Sequence, residues 1–263
     1  MLTTISALMP YVLQAGQIAI QGQKQIMRSF KEDLSVLTEI DQQLDAFLAS
    51  AILREFPEAN LVSEEAKRPW DPAKPYTFTL DPIDGTDSFS QSMPGWCIAI
   101  GLLNAMLQPI AGIVYAPQWG PGVLIIADIE KPVTCNSNPL GVLSPEAEIT
   151  KKSQIMVSSH SHHHIDFRGF PGKVRNIGSG VLHLCGPALH PGIMGSILGP
   201  AYIWDYTAGH AIALKAGLTV EYWNGSPLTY HDLVLGQQSQ QGYALCGLPA
   251  NIERLHHFIT KRS

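Results

Sequence analysis

Two N-terminal stretches carry apolar residues at helical spacing. Ile5, Leu8, Val12 and Ile18 line one face of a segment from about residue 3 to 29, which predicts a first helix. Ile40, Leu44, Phe47, Leu48, Ile52 and Phe56 recur at the same period and stop at Pro57, which predicts a second helix with Asp41 in its first turn. The pattern then shortens to strands. Leu61 to Ser63 leads into Glu64 and Glu65, and Tyr76 to Leu80 leads into Asp81. Cys97 to Leu103 is a continuous apolar run suited to a buried strand, and Pro109 to Tyr115 and Val123 to Ala127 follow across Pro- and Gly-rich turns. Beyond a Pro-, Asn- and Ser-rich stretch from Glu130 to Glu148, strands are predicted at Ile155 to Ser158, near Ser196 to Leu198 and at Leu218 to Trp223. One helix is expected after Ser179 and another from Asp205 to Gly217. Helices and strands alternate without a repeat, so the class is mixed α and β with layered packing. We place a boundary between two closely packed halves, 1–138 (α+β) carrying most of the candidate metal ligands and 139–263 (α/β) completing the site, in one compact unit.

Composition narrows this picture. Of 263 residues, 45% are apolar and 15% charged, enough to bury a sizeable core. The net charge of −5 disfavours a nucleic-acid polymer or an anionic membrane as partner. No run is long and apolar enough to span a bilayer. The first twenty residues are uncharged, but they lack a basic leader and Pro10 and Gln14 interrupt the apolar run, so we read a helix there and not a secretory signal. Four scattered cysteines without a C-x-x-C pair predict reduced thiols and a cytoplasmic location.

The informative chemistry lies in T-L-D-P-I-D-G-T-D-S-F, residues 79 to 89. A strand delivers Asp81, Pro82 bends the chain, and Asp84 follows. Gly85 permits a tight approach of backbone. A helix beginning at Thr86 would aim free amides at an anion. Two hard carboxylates beside amide donors suit phosphate held against Mg²⁺. Taken singly, D-P-x-D-G is a common turn. A calcium EF-hand loop is excluded because Gly stands fifth and Ile83 third. An aspartyl-nucleophile D-x-D-G-T phosphatase is excluded because Pro82 occupies the nucleophile's position. Glu64-Glu65 and Trp204-Asp205 are two further acidic sites, and Asp205 is a natural N-cap for the helix it precedes.

Taken together, these segments resemble the inositol monophosphatase family of lithium-sensitive, magnesium-dependent phosphomonoesterases. Four blocks occur in order: L-T-E-I-D at 37–41, S-E-E at 63–65, D-P-I-D-G-T at 81–86 and W-D-Y-T-A-G at 204–209. The resemblance implies an α-β-α-β-α layered sandwich and a homodimer. It also implies two or three Mg²⁺ ions on Glu64, Asp81, the carbonyl of Ile83, Asp84 and Asp205. The implied catalytic residues are Glu64, Thr86 and Asp41, with Thr86 bonded to Asp41 and orienting the attacking water while Glu64 helps to take its proton. The implied substrate contacts are Gly85, Thr86, Ser179, Gly180 and Asp205. The expected reaction is hydrolysis of a small-molecule phosphate monoester by a metal-activated water. Inositol 1-phosphate-like compounds or related sugar phosphates are the expected substrates. Alternatives on the same site are 3′(2′),5′-bisphosphate nucleotidase and histidinol-phosphatase activity. An alternative of another class is a catalytically weak phosphate-ligand binding protein.

Inositol-directed members carry a glutamate seven residues before the W-D aspartate, where this chain has Leu198. G-x-x-D-A becomes His190 to Gly195, and E-A-G becomes Lys215-Ala216-Gly217. The sequence S-H-S-H-H-H, with His160, His162, His163 and His164, reads as a solvated loop. One of these imidazoles, or Arg168, could reach a second anionic group at the rim. Trp96, Trp119, Trp204 and Trp223 are expected mostly in core packing or dimer contacts.

Overall fold

The computed structural model describes residues 4–25, 29–30, 36–37, 39–145, 148–236, 238–239 and 242–262. Thr38, in the first acidic block, lies outside them. The N-terminal helical pattern resolves into a 3₁₀ turn at Ile5–Leu8, helix α1 (Met9–Gly22) and a second short turn. Pro10 sits in the first turn of α1, where its missing N–H costs no hydrogen bond. A ribbon of β1 (Ser29–Phe30) and β2 (Val36–Leu37) leads to α2 (Glu39–Glu55).

A seven-stranded sheet follows: β3 (Asn60–Ser63), β4 (Tyr76–Asp84), β5 (Cys97–Asn104), β6 (Pro109–Ala116), β7 (Val123–Ala127), β8 (Thr134–Cys135) and β9 (Asn138–Pro139), paired in that order. β3 and β4 run parallel, and the remaining neighbours are antiparallel. The short helix α3 (Thr86–Ser90) leaves the end of β4. The expected boundary at 138/139 falls inside β9, which still belongs to this first sheet.

The second half contributes β10 (Gln154–Val157), α4 (Ser161–His164), β11 (Ile165–Asp166), β12 (Lys173–Arg175), α5 (Gly180–Leu189), β13 (Ile193–Leu198), α6 (Ile203–Lys215), β14 (Thr219–Tyr222), β15 (Ala244–Gly247), α7 (Pro249–Leu255) and β16 (Thr260–Lys261). Its five-stranded mixed sheet has the order β12-β10-β13-β15-β14, and β11 pairs with β16 to one side.

The buried clusters reveal the layers. Val12, Leu44 and Ile52 from α1 and α2 pack on Phe78, Ile100 and Ile113 of the first sheet. On the opposite face, Ala99 and Val114 meet Cys185 of α5 and Ala208 and Ile212 of α6. Those two helices also cover the second sheet, where Leu184 and Tyr206 share a cluster with Val220 and Cys246. Ile155 and Ile197 face outward onto Leu255 of α7. The stack is therefore α-β-α-β-α. Each sheet needs apolar cover on both faces, and α5 and α6 serve both sheets at once. Adjacent Ile197 and Leu198 fall in clusters on opposite faces of β13, as the two-residue period of a strand requires.

Candidate metal centre

Asp81 and Asp84 are three residues apart, so a regular strand would send them to opposite faces. The chain avoids this with a bulge. Asp81 pairs with Ala99 and Asp84 with Cys97, so three steps on β4 match two on β5. The extra residue falls at Pro82-Ile83, and the extra twist re-aims one carboxylate. An Ile83 amide bond to Asp81 Oδ1, at 3.0 Å, pins the turn. Gly85 then adopts φ +91°, a left-handed conformation in which a Cβ would lie 2.7 Å from the Gly95 carbonyl. Gly95 is equally constrained: a Cβ there would stand 1.5 Å from the Ile177 carbonyl. These contacts let the loop before α5 close over the loop before α3.

Asp205 comes from a different element. It was expected to open its helix, but α6 begins two residues earlier, at Ile203. Asp205 caps from inside the first turn: its Oδ2 accepts from the Tyr202 amide at 2.7 Å. One ligand atom each from Asp81, Asp84 and Asp205 lie within 4.8 Å of one another. Asp81 and Asp84 are buried and Asp205 is partly exposed. Glu64, at the end of β3, is tied to β4 by its amide bond to the Leu80 carbonyl at 3.1 Å. Glu64 and Asp205 line two cavities that meet here, of about 850 and 840 Å³.

The electrostatics call for a cation. Burial pushes the Asp81 carboxyl well above its usual range, and Glu64, Asp84, Asp205 and Asp41 push it further. Burial also raises Asp84, against hydrogen bonds that favour its ionised form. Ionised acids crowded together need positive charge, and an all-oxygen donor set fits Mg²⁺. Thr86 Oγ1 lies 2.9 Å from the Ile83 carbonyl and 3.3 Å from Asp41 Oδ1, so the expected Thr86–Asp41 contact is present. Asp41 is fully buried.

Ser179 and Gly180, expected as substrate contacts, both bond to Asp84. Ser179 is 0% exposed, and its hydroxyl donates to Asp84 Oδ2 and accepts from the Leu182 amide at 3.0 Å. Gly180 lines the cavity, but its backbone also hydrogen-bonds Asp84. The Ser179 side chain is thus spent on a carboxylate and a helix cap. The N-cap signature at Ser179 was readable in sequence; its carboxylate partner, 95 residues away, was not.

Sequence reasoning missed His183, which is buried and accepts from the Ile177 amide at 3.2 Å through Nε2. Burial lowers its pKa to about 4, so it is neutral. His160 and His164 border the second cavity with Tyr243 and Leu198. Arg168 instead pairs with Asp166. Trp96 is fully buried and Trp204 lines the first cavity. Among the described residues no helix is long and apolar enough to cross a membrane, and all four cysteines are free.

Comparison with known proteins agrees with this geometry. The chain is 26% identical over 216 residues to the 3′(2′),5′-bisphosphate nucleotidase CysQ of Buchnera aphidicola, covering 80% of this chain and 79% of that one. It is 28% identical over 231 residues to the inositol-1-monophosphatase of Synechocystis, covering 82% and 78%. The solved structure of the extragenic suppressor protein suhB from Bartonella henselae superposes with a TM-score of 0.80 at 18% identity, over 96% of each chain. A sequence profile described as the inositol monophosphatase family matches residues 3–250. With that match across nearly its whole length and the acid cluster assembled in a five-layer sandwich, this chain belongs to the inositol monophosphatase family.

Proposed function

We propose that the protein hydrolyses the phosphate monoester of a small soluble molecule by direct attack of water. One observation carries this reading: Asp81, Asp84 and Asp205 converge from a strand bulge and a separate helix, beside the Thr86–Asp41 pair. Glu64, Asp81, Asp84, Asp205 and the Ile83 carbonyl would hold two or three Mg²⁺ ions. Bound there, the ions would supply Lewis-acid charge that acidifies water and neutralises the phosphoryl oxygens.

The chain's own groups do the rest. Asp41 and the Ile83 carbonyl fix the Thr86 hydroxyl, whose free lone pair orients the attacking water. Glu64 takes the water's proton. The amides of Gly85 and Thr86 face the phosphate. The phosphorus–oxygen bond to the alcohol breaks, and the leaving oxygen takes a proton from solvent. No phosphorylated side chain is formed.

The alcohol faces the cavity of about 840 Å³. An inositol or sugar phosphate is the first substrate class. A second reading, a 3′(2′),5′-bisphosphate nucleotide, is supported by the wall: Leu198 is buried where an acid would bind ring hydroxyls, and His160, His164 and Tyr243 border the same space. Histidinol phosphate is a third candidate for the same space. A reducing cytoplasm suits the free thiols, and a homodimer is the assembly we propose.

The test is phosphate release from inositol 1-phosphate, sugar phosphates, histidinol phosphate and adenosine 3′,5′-bisphosphate, with Mg²⁺ and with a chelator. Turnover of at least one compound, abolished by the chelator, is expected. Tight binding without turnover across the panel would assign a binding protein instead.

A further inference from the structure

We propose that Ser179 is a positioning residue that sets the orientation of Asp84 from across the seam between the two halves. This rests on reading the acid cluster as a cation site. Asp84 ends β4 of the first sheet, whereas Ser179 precedes α5 in the other half. The Ser179 hydroxyl has one proton. The Leu182 amide donates to its oxygen at 3.0 Å, which directs that proton to Asp84 Oδ2. The Val181 amide donates to the same oxygen at 2.8 Å, and the Gly180 backbone adds a further bond. Cys97 Sγ packs 3.5 Å from the hydroxyl and 3.8 Å from Asp84 Oδ2.

Oδ2 therefore accepts from both Ser179 and Val181 at the start of a ten-residue helix, and the carboxylate cannot rotate without breaking these bonds. A merely capping serine would need no such partner, since the Leu182 bond alone satisfies a cap. Groups that orient a metal-binding carboxylate commonly affect metal affinity about as strongly as they affect rate.

The experiment titrates Mn²⁺ into the purified, metal-free full chain and counts free Mn²⁺ by electron paramagnetic resonance, beside kcat, KM and melting curves. Ser179→Ala is expected to weaken Mn²⁺ binding by about tenfold and to lower kcat more than it changes KM. In an Asp84→Asn background the same change should add less than about twofold, because both act through one carboxylate. Wild-type Mn²⁺ affinity in a Ser179→Ala protein with a lowered melting temperature would overturn the proposal and leave only a helix cap. If Ser179→Ala does not melt cooperatively, Ser179→Cys replaces it. Weakened binding in that folded variant then supports the proposal, and unchanged binding overturns it. Failure of the wild type to bind Mn²⁺ would instead reject the cation site itself.

Discussion

The two ends of the candidate site are built on different principles. At the phosphate end, Asp81 and Asp84 are buried, pinned by backbone amides and by Ser179, and surrounded by other acids. At the end we assign to the alcohol, the wall mixes Leu198 with exposed His160 and His164 and with Tyr243. The first end is the more constrained: Asp84 has several hydrogen-bond partners, and Asp81 is held by the Ile83 amide among neighbouring acids. The second is held by few directional contacts and tolerates change. Chemistry that must be aligned within fractions of an ångström demands rigidity, while recognition of the alcohol leaves more freedom. Relatives named for inositol phosphate and for bisphosphate nucleotides both match this chain.

The contrast can be broken first at its rigid end. Asp84→Asn keeps the size of the side chain but removes its charge. We expect a loss of at least about 2.7 kcal/mol of transition-state stabilisation, roughly a hundredfold in kcat/KM. Near-normal turnover of the metal-replete variant would contradict the assignment.

A smaller effect concerns stability. Burial and like charges raise the Asp81 pKa, and burial raises that of Asp84. An acid whose folded pKa is raised favours the fold when protonated, and that contribution is lost as pH rises through the raised value. Cations remove the repulsion. Stripping them should therefore lower Tm by several degrees, about 4 °C or more, and the gap should widen from pH 5.5 to 7.5. Scanning fluorimetry with and without chelator measures it. A gap that narrows as pH rises would mean that the acids are not the cation's ligands.

The smallest effect belongs to the tolerant end. His160→Ala should raise KM for adenosine 3′,5′-bisphosphate by no more than about fivefold, since an exposed charge contact contributes little. It should leave a monophosphate unaffected. Equal KM changes for both substrates would remove His160 from any contact with a second anionic group.

Local patterns along the chain reveal much of the fold. The helices at α2 and α6 and strands β3 to β7 follow from periodicity and from Pro and Gly punctuation, because those signals act within a few residues. The bounds are less legible. The first predicted helix breaks into α1 and two 3₁₀ turns, and α6 starts before Asp205 because the aspartate caps from its third position. The donor types of the cluster are equally plain, since D-P-I-D-G-T and W-D-Y-T-A-G name them residue by residue.

What no local pattern contains is which of these groups meet. The chain specifies which oxygens are available and roughly which strand or helix carries each. The bulge that brings Asp81 and Asp84 together depends on pairing with β5. Thr86 finds Asp41 across 45 residues, and Asp84 finds Ser179 across 95. The wall of the second cavity forms only once α4, β13 and the turn before β15 have packed around it. Such contacts arise when whole layers bury their apolar faces, a collective event in which each side chain's neighbours are set by packing and not by its place in the chain.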